Sequence, residues 1–205
     1  MALSDSYSRR TCTSGGGNFC RNFEPFPALM KARKVLNSRT VFTGRIFDVR
    51  IDGIGEGEVE YEREIVLHRG SAVIVPLFDD KTIALVRQYR HAVGKEILEL
   101  PAGTLEQGEE PLFGAIRELE EEIGVRAAEI VKLSEFYVSP GFLSEKMHLF
   151  LATGLTNVGQ RLESDELLEI ERFRLSELQS MVVSREIEDA KTIIGIFLAQ
   201  KSLFG

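Results

Sequence analysis

Apolar residues between positions 111 and 124 recur with the period of an α-helix. Five of them, at i, i+3, i+4, i+7 and i+11, form one stripe that consists of Leu112, Ala115, Ile116, Leu119 and Ile123. Pro111 suits the first position of a helix, where its missing N–H would have no partner, and Gly124 suits a left-handed stop after the last turn. The pattern predicts an amphipathic helix over 111–123 that buries this stripe.

Segments rich in β-branched and aromatic residues surround this helix and predict strands. The strands expected before the helix cover residues 40–52, 59–68, 71–78, 82–89 and 96–100, with a loop over 53–57. The strands expected after it cover 129–138, 146–152 and 168–174, and helices are expected over 176–183 and 190–203. By itself, this order predicts a mixed α and β domain.

Length and composition indicate a small enzyme-sized chain. The 205 residues, 43% of them hydrophobic, suffice for one main domain with an extension. We expect a disordered leader over 1–34, an N-terminal β extension over 35–70 and the main domain over 71–205. Neither a membrane span nor the apolar stretch of a secretory signal is recognisable, so a cytoplasmic protein that binds no membrane is expected.

Charge is distributed unevenly between the leader and the rest. The leader holds six basic and two acidic residues, so residues 35–205 carry 19 basic and 30 acidic side chains, a net charge of −11. A surface this acidic opposes binding to DNA or RNA, which requires basic patches. Small phosphate compounds remain possible ligands.

Three glutamates lie on the predicted helix at i, i+3 and i+4. Glu118, Glu121 and Glu122 project from one face, with Arg117 beside them. Like charges at i,i+4 destabilise an isolated helix by roughly 0.2–0.5 kcal/mol per pair, so such a face favours a counter-ion. Mg²⁺ and Mn²⁺ prefer oxygen ligands of this kind. The alternative is a solvated acidic face without a ligand.

The stretch from residue 103 to residue 125 resembles the Nudix box. All nine specified positions match, and they are Gly103, Glu109, Arg117, Glu118, Leu119, Glu121, Glu122, Gly124 and Val125. This resemblance implies the Nudix-type α/β/α sandwich, in which helices cover both faces of a mixed sheet. It also implies a hydrolase that uses Mg²⁺, with Mn²⁺ as a possible substitute.

The same resemblance implies a set of metal ligands. Glu118 and Glu122 would be the main carboxylate ligands, and the carbonyl of Ala102 would join them. Glu121 would bind a further ion directly or through water. Arg117 is expected to pair with Glu109 and so to hold the loop against the helix.

Segments outside the box resemble the ADP-ribose pyrophosphatases of this family. They are Arg63-Glu64, Arg87-Gln88-Tyr89-Arg90, Glu99 to Gly103, and Ser139-Pro140-Gly141 followed by Glu145. The implied substrate contacts are Phe47, Arg63, Glu64, Arg90, Ser139, Pro140, Gly141 and Glu145. Glu145 would contact the terminal ribose, and the two arginines offer planar donors for diphosphate or adenine.

Less specific interpretations stay open for three of these contacts. Arg63 and Arg90 can equally be ordinary surface groups. Phe47 can be a core residue rather than an aromatic that stacks on adenine across a dimer interface. The family often dimerises by exchanging N-terminal strands, so a homodimer is expected.

The implied reaction is hydrolysis of ADP-ribose to AMP and ribose 5-phosphate, and it requires a base. The resemblance points to the acidic loop 160–166, with Glu163 as the first choice and Glu166 as the reserve. Asp165 stands where related enzymes can carry a second glutamate, and its shorter side chain puts a metal or water contact in doubt. The alternative is a solvent-exposed polar turn.

Three other functions are compatible with the sequence. The first is cleavage of another nucleoside diphosphate sugar, such as GDP-mannose or ADP-glucose. The second is a non-catalytic ADP-ribose sensor that regulates a partner protein. The third is hydrolysis of oxidised nucleoside triphosphates, which the 139–145 segment disfavours.

Overall fold

A computed structural model describes residues 33–162 and 167–204 of the chain. The strands of this part are β1 (Arg33–Thr43), β2 (Phe47–Glu56), β3 (Val59–His68), β4 (Ser71–Pro76), β5 (Thr82–Arg90), β6 (Lys95–Glu99), β7 (Ala102–Thr104), β8 (Val125–Arg126), β9 (Glu129–Tyr137), β10 (Lys146–Thr153), β11 (Thr156–Asn157) and β12 (Leu168–Arg174). Its α-helices are α1 (Pro111–Glu118), α2 (Leu175–Val183) and α3 (Ala190–Phe204). Residues 1–32 of the expected leader lie outside the described residues, and residues 33 and 34 belong to β1.

A mixed sheet of order β7-β4-β10-β9 lies at the centre of the fold. Strands β4 and β10 are parallel, whereas β7 and β9 pair antiparallel with their neighbours. All six residues of β4 are buried, because apolar groups cover both faces of the strand. A second sheet has the order β12-β5-β6. Alternate residues of its central strand β5 belong to the apolar clusters on the two faces of the central sheet.

The two faces of the sheet carry separate apolar clusters. Val73 and Val75 of β4 belong to the cluster that includes Leu178 of α2 and Ile196 of α3. The alternate residues of the same strand belong to a second cluster that includes Ala115 of α1. Burying one such aliphatic side chain contributes about 1.5–3 kcal/mol. Helices therefore pack on both faces, and the predicted α/β/α sandwich with a mixed sheet is confirmed.

The N-terminal strands differ from the prediction. The strand expected over 40–52 is split at Gly44, whose N–H donates to the carbonyl of Phe47 at 3.0 Å, and its halves belong to the antiparallel strands β1 and β2. The loop expected from residue 53 is strand up to Glu56. Gly53 packs closely against β1, since a Cβ at this position would lie 2.7 Å from the side chain of Asn37. The β-rich composition on both sides of Gly44 concealed the turn.

The predicted helix over 111–123 is present but changes its winding. Pro111 occupies the first turn of α1, and the chain after Glu118 continues as a π-helical turn over Leu119–Ile123. Gly124 ends this turn with a φ of 71°, as predicted. Leu112 is exposed, so the predicted apolar stripe is only partly buried. The buried face instead includes Glu118 and Glu122.

The remaining strands and both C-terminal helices are confirmed within a few residues of their predicted ends. Three short strands, β7, β8 and β11, were not predicted, because two or three residues carry too little periodicity. No helix in the described part of the chain is long and apolar enough to cross a membrane.

Candidate active site

Arg117 joins the loop before α1 to the acidic face of the helix. Its Nε and Nη2 donate to the two carboxylate oxygens of Glu109, each at 3.1 Å, and Nη2 also donates to the carbonyl of Thr104 at 3.3 Å. Its Nη1 donates to Glu118 at 2.5 Å and to Glu121 at 3.1 Å. The expected pair with Glu109 is present, and the same guanidinium also partly neutralises the helix carboxylates.

This ion-pair network changes the proton affinities of its members. The hydrogen bond to Glu109 and the nearby negative charge of Glu118 raise the pKa of Arg117 above its ordinary value. The hydrogen bond from Arg117 lowers the pKa of Glu109. The pair therefore stays ionised at neutral pH. Glu109 therefore stabilises the folded state fully above the ordinary pKa of a carboxyl group. This stabilisation is lost as the pH falls through the lowered pKa of Glu109.

Two carboxylates lie buried beside the loop that precedes the helix. Glu118 is 6% exposed and Glu122 is 3% exposed. The N–H of Ala102 donates to Oε2 of Glu122 at 3.0 Å. A Cβ at position 103 would lie 1.7 Å from Oε1 of Glu118, so only glycine leaves space for this carboxylate. The loop thus fixes both glutamates, and Gly103 has a steric role.

The chemistry of these groups fits a hard divalent cation. Buried carboxylates are costly without a compensating positive charge, and oxygen ligands are those that Mg²⁺ and Mn²⁺ prefer. Glu118, Glu122 and Glu121 supply such oxygens on consecutive turns, next to Ala102. Within residues 33–162 and 167–204, no three His, Cys, Asp or Glu side chains converge closely enough to form a complete metal site.

The first residues of the predicted acidic loop 160–166 are hydrogen-bonded to the end of the Nudix-box helix. The side-chain amide of Gln160 donates to the carbonyl of Glu122 at 2.7 Å, and the N–H of Arg161 donates to the carbonyl of Glu121 at 3.0 Å. The three predicted residues of this loop, Glu163, Asp165 and Glu166, lie outside the described residues.

A second group of predicted residues surrounds an open cavity of about 380 Å³. Arg63 from β3 and Pro140 and Gly141 from the loop after β9 line this cavity. The guanidinium of Arg63 lies 4.2 Å from the centre of the Tyr61 ring, which also lines it. The cavity therefore presents a guanidinium that lies over an aromatic ring, a planar cation of the kind that can bind phosphate oxygens or stack on a base.

Hydrogen bonds attach the 139–145 loop to β3. The N–H of Val66 donates to the carbonyl of Phe142 at 2.7 Å, and the carbonyl of Ser139 closes the turn by accepting from the N–H of Phe142 at 3.2 Å. Glu145 accepts a hydrogen bond from the hydroxyl of Ser71 at 2.7 Å. Because Ser71 pairs with Thr104 in the sheet, Glu145 lies near the strand that carries Gly103.

Two other predicted contacts lie away from the cavity. Glu64 alternates with Arg63 along β3 and so points to the opposite face of the strand. Phe47 is exposed, with its ring centre 5.8 Å from that of Phe42, so it is not a core residue within one chain.

Arg90 is not an ordinary surface arginine. It donates two hydrogen bonds to Glu99, from Nε at 2.6 Å and from Nη2 at 2.9 Å. These bonds raise the pKa of Arg90, with a further contribution from the negative charge of Glu122. The guanidinium therefore lies in the electrostatic field of the acidic face that carries Glu122.

Two charged residues at the site were given no role from the sequence: Glu99 was named only as part of a segment that resembles the ADP-ribose pyrophosphatases, and Lys191 was not named. The ammonium of Lys191 donates to Oε2 of Glu99, the same oxygen that accepts from Nη2 of Arg90, and the side chains of Glu99 and Lys191 are both buried. A glutamate between Leu98 and Leu100 in an apolar strand was the available signal for Glu99. No local sequence pattern indicated a role for Lys191, because its partner Glu99 is 92 residues away in the chain.

Comparison with known proteins agrees with this arrangement. A model of the NUDIX domain matches residues 68–193. The chain is 38% identical over 167 residues to an ADP-ribose pyrophosphatase of Bacillus subtilis (strain 168), covering 80% of this chain and 90% of that protein. It is 35% identical over 167 residues to a methanol dehydrogenase activator of Bacillus methanolicus, with the same coverage of 80% and 90%.

A solved structure shares the fold. The crystal structure of an ADP compounds hydrolase superposes with a TM-score of 0.76, covering 85% of this chain and 96% of that chain at 24% identity. At this identity the likeness extends to the fold alone.

Replacing Gly103 by alanine is expected to weaken the affinity for Mn²⁺ at least about tenfold, because the new Cβ would displace the Glu118 carboxylate. Isothermal titration calorimetry of the purified protein measures this affinity. Gly141→Ala is the matched control, since a Cβ there meets nothing within 4 Å. Equal Mn²⁺ affinity in Gly103→Ala and the control would contradict the steric role of Gly103.

Proposed function

The chain belongs to the NUDIX domain family, and on that premise we propose that it is a pyrophosphohydrolase that cleaves ADP-ribose to AMP and ribose 5-phosphate. The observation that carries the proposal is the pair of buried glutamates, Glu118 and Glu122, fixed beside Gly103 by the loop and by Arg117. The 38% identity to an ADP-ribose pyrophosphatase over most of both chains supports the choice of substrate.

Nudix hydrolases use a divalent metal, and we propose Mg²⁺ here, with Mn²⁺ as a substitute. Glu118, Glu122 and the carbonyl of Ala102 would hold it, with Glu121 beside them. The ion supplies positive charge that neutralises the diphosphate and makes a nearby water more acidic. Arg117 keeps the carboxylates in place through its bonds to Glu118 and Glu121.

Substrate recognition is assigned to residues outside the box. Arg90 would bind the diphosphate, because Nη1 has no hydrogen-bond partner among the described residues and arginine binds phosphate oxygens well. Arg63 with Pro140 and Gly141 would bind the nucleoside in the cavity, and Glu145 near the loop would accept from a ribose hydroxyl. Ser139 shapes this loop through its carbonyl. Glu64 is a weaker candidate, since it faces away from the cavity.

We assign the general base to Glu163, with Glu166 as the reserve and Asp165 as an accessory metal or water contact. The N–H of Arg161, two positions before Glu163 in the sequence, donates to the carbonyl of Glu121 at 3.0 Å. In the proposed reaction, a water oxygen attacks phosphorus, the bridging P–O bond breaks, and the base takes the proton of the water.

One assay tests the substrate assignment. The purified protein is incubated with Mg²⁺ and a panel of ADP-ribose, GDP-mannose, ADP-glucose, dinucleotides and nucleoside triphosphates, and the products are quantified. ADP-ribose is expected to give the highest kcat/KM, and Glu122→Gln is expected to abolish turnover while leaving the melting temperature within a few degrees. Wild-type turnover in Glu122→Gln would exclude its role as a ligand. If another compound gives the highest kcat/KM, that compound replaces ADP-ribose as the proposed substrate.

Replacing Glu163 by glutamine is expected to lower kcat on the order of 10²–10⁴-fold with little change in ADP-ribose affinity, because a base acts in the transition state. Single-turnover kinetics and calorimetric binding separate the two quantities. Glu166→Gln is the matched control. Full activity in Glu163→Gln combined with a loss in Glu166→Gln would move the role to Glu166.

Regulation of a partner enzyme is the second candidate function. The relative named methanol dehydrogenase activator, 35% identical over 80% of this chain, favours it. Hydrolysis does not exclude such a role, but a protein that binds ADP-ribose without metal-dependent product formation would favour a sensor. The panel assay, combined with a measurement of ADP-ribose binding, therefore distinguishes an enzyme from a non-catalytic sensor.

We also propose that the chain forms a homodimer through its N-terminal sheet. All eleven residues of β1 are exposed, and the large apolar side chains exposed in this region include Val35, Leu36, Val41, Phe42 and Phe47. An apolar surface of this kind is costly in water and marks an interface. In a dimer, Phe47 would become available to stack on the adenine bound by the partner.

Light scattering of the eluted protein is expected to give twice the mass of one chain for the wild type. Replacing Phe42 by aspartate is expected to give a monomer, because a buried charge opposes the contact. Val131→Asp, at an exposed position of the edge strand β9, is the control that should remain dimeric. A wild-type monomer at micromolar concentration would contradict the proposed dimer.

A further inference from the structure

A buried ion-pair network lies behind Arg90. Glu99, at the end of β6, is 1% exposed and binds Arg90 through both carboxylate oxygens. Oε2 of Glu99, the oxygen that accepts from Nη2 of Arg90, also accepts from the ammonium of Lys191, which is 7% exposed. Lys191 also lies 3.1 Å from Oδ2 of Asp189. One carboxylate therefore holds two cations, and only Arg90 extends toward solvent.

The position of Lys191 is unfavourable for stability alone. It lies in the first turn of α3, where the helix dipole disfavours a positive charge. It is also buried, and buried ion pairs are often no more stabilising than apolar side chains of the same volume. Neither the helix nor the core therefore accounts for a lysine at this position.

Two opposing effects shift the pKa of Glu99. Burial raises it, but the hydrogen bond from Arg90 and the charge of Lys191 lower it overall. The carboxylate is ionised at neutral pH and is shared between the two cations. As a result, Arg90 is held by Nε and Nη2, while Nη1 has no partner among the described residues.

The same helix start is attached to the metal-binding loop. The N–H of Leu100 donates to Oγ1 of Thr192 at 2.7 Å, and this hydroxyl donates to Asp189 at 2.6 Å. Two residues further on, the N–H of Ala102 donates to Glu122. The segment 99–102 thus connects the first turn of α3 to the carboxylates of the box helix.

We propose that Lys191 is a positioning residue for Arg90, acting through Glu99 to hold the guanidinium toward the diphosphate. The inference rests on the proposed function, in which Arg90 binds the diphosphate of ADP-ribose. Lys191 itself does not touch the substrate. Without its charge, Glu99 keeps its bonds to Arg90 but loses the contact that fixes the pair from the side of α3, so the guanidinium is no longer held in one position.

A double-mutant cycle in the full-length protein tests this role. The ligand is a methylene-bridged ADP-ribose analogue, whose diphosphate link resists hydrolysis, and its affinity is measured by calorimetry with Mg²⁺. Arg90→Met is expected to weaken binding at least about tenfold, and Lys191→Met about five- to tenfold. In the Arg90→Met background, Lys191→Met is expected to have less than about a twofold effect, because the group that it positions is missing.

Lys95→Met is the matched control for the loss of a lysine. Lys95 forms an ion pair with Glu188 just before α3, but both side chains are about half exposed. This variant is expected to bind the analogue like the wild type. Melting temperatures of all variants are measured alongside, and if Lys191→Met does not fold, Glu99→Gln takes its place in the cycle.

Several results would overturn the proposal. Equal losses from Lys191→Met in both backgrounds would indicate a general structural effect, and wild-type affinity in folded Lys191→Met would remove the role altogether. Wild-type protein that does not bind the analogue would overturn the proposed function together with the role of Lys191. Tight wild-type binding with an unaffected Lys191 variant would overturn the positioning role alone.

Discussion

Arg117 counters the repulsion between carboxylates that the site must concentrate in a small volume. Its guanidinium donates four hydrogen bonds to the carboxylates of Glu109, Glu118 and Glu121, and a fifth bond joins it to the carbonyl of Thr104. Without such a cation, acidic side chains this close would separate or become protonated. Because arginine offers five donors in a rigid fork, one residue can hold the loop, the helix and the carboxylates in fixed relation. Lysine has the charge but lacks this geometry.

A short backbone segment connects these carboxylates to the helices on both faces of the sheet. Residues 99–103 lie between the helices of the two outer layers, and they contact both. The N–H of Ala102 binds Glu122 on the side of α1, whereas the N–H of Leu100 binds Thr192 on the side of α3. Gly103 leaves the space that Glu118 fills. The proposed metal ligands and the proposed phosphate contact Arg90 are therefore fixed by the same few residues.

The cavity beside Arg63 differs from the Nudix box, because segments far apart in the chain line it. Strand β3 supplies Arg63 and Tyr61, and the 139–145 loop approaches it through the hydrogen bond from Val66 to Phe142. The strands that support this side expose apolar residues such as Phe42 and Phe47. A second copy of the chain is the proposed cover for them. Substrate recognition would then depend on assembly, whereas the proposed metal ligands all lie within one chain.

The sequence by itself determined the features that depend on local spacing. The nine box positions, the start of the helix at Pro111 and its end at Gly124 all lie within 23 residues, and within the helix the period relates spacing to geometry. The pair between Arg117 and Glu109 came from the resemblance, because Glu109 lies before the helix. The alternation of strands and helices was sufficient for a mixed α and β domain, and resemblance supplied the three-layer architecture.

Only the tertiary structure decided the features that depend on contacts between distant segments. The turn at Gly44 was concealed because residues on both sides favour strands, and the exposure of Leu112 follows from how α1 packs on the sheet. Glu99 and Lys191 meet across 92 residues, so no local pattern relates them. The surroundings of Arg90 and Glu64 were likewise undetermined, since the environment of a charged side chain is set by what the fold brings against it.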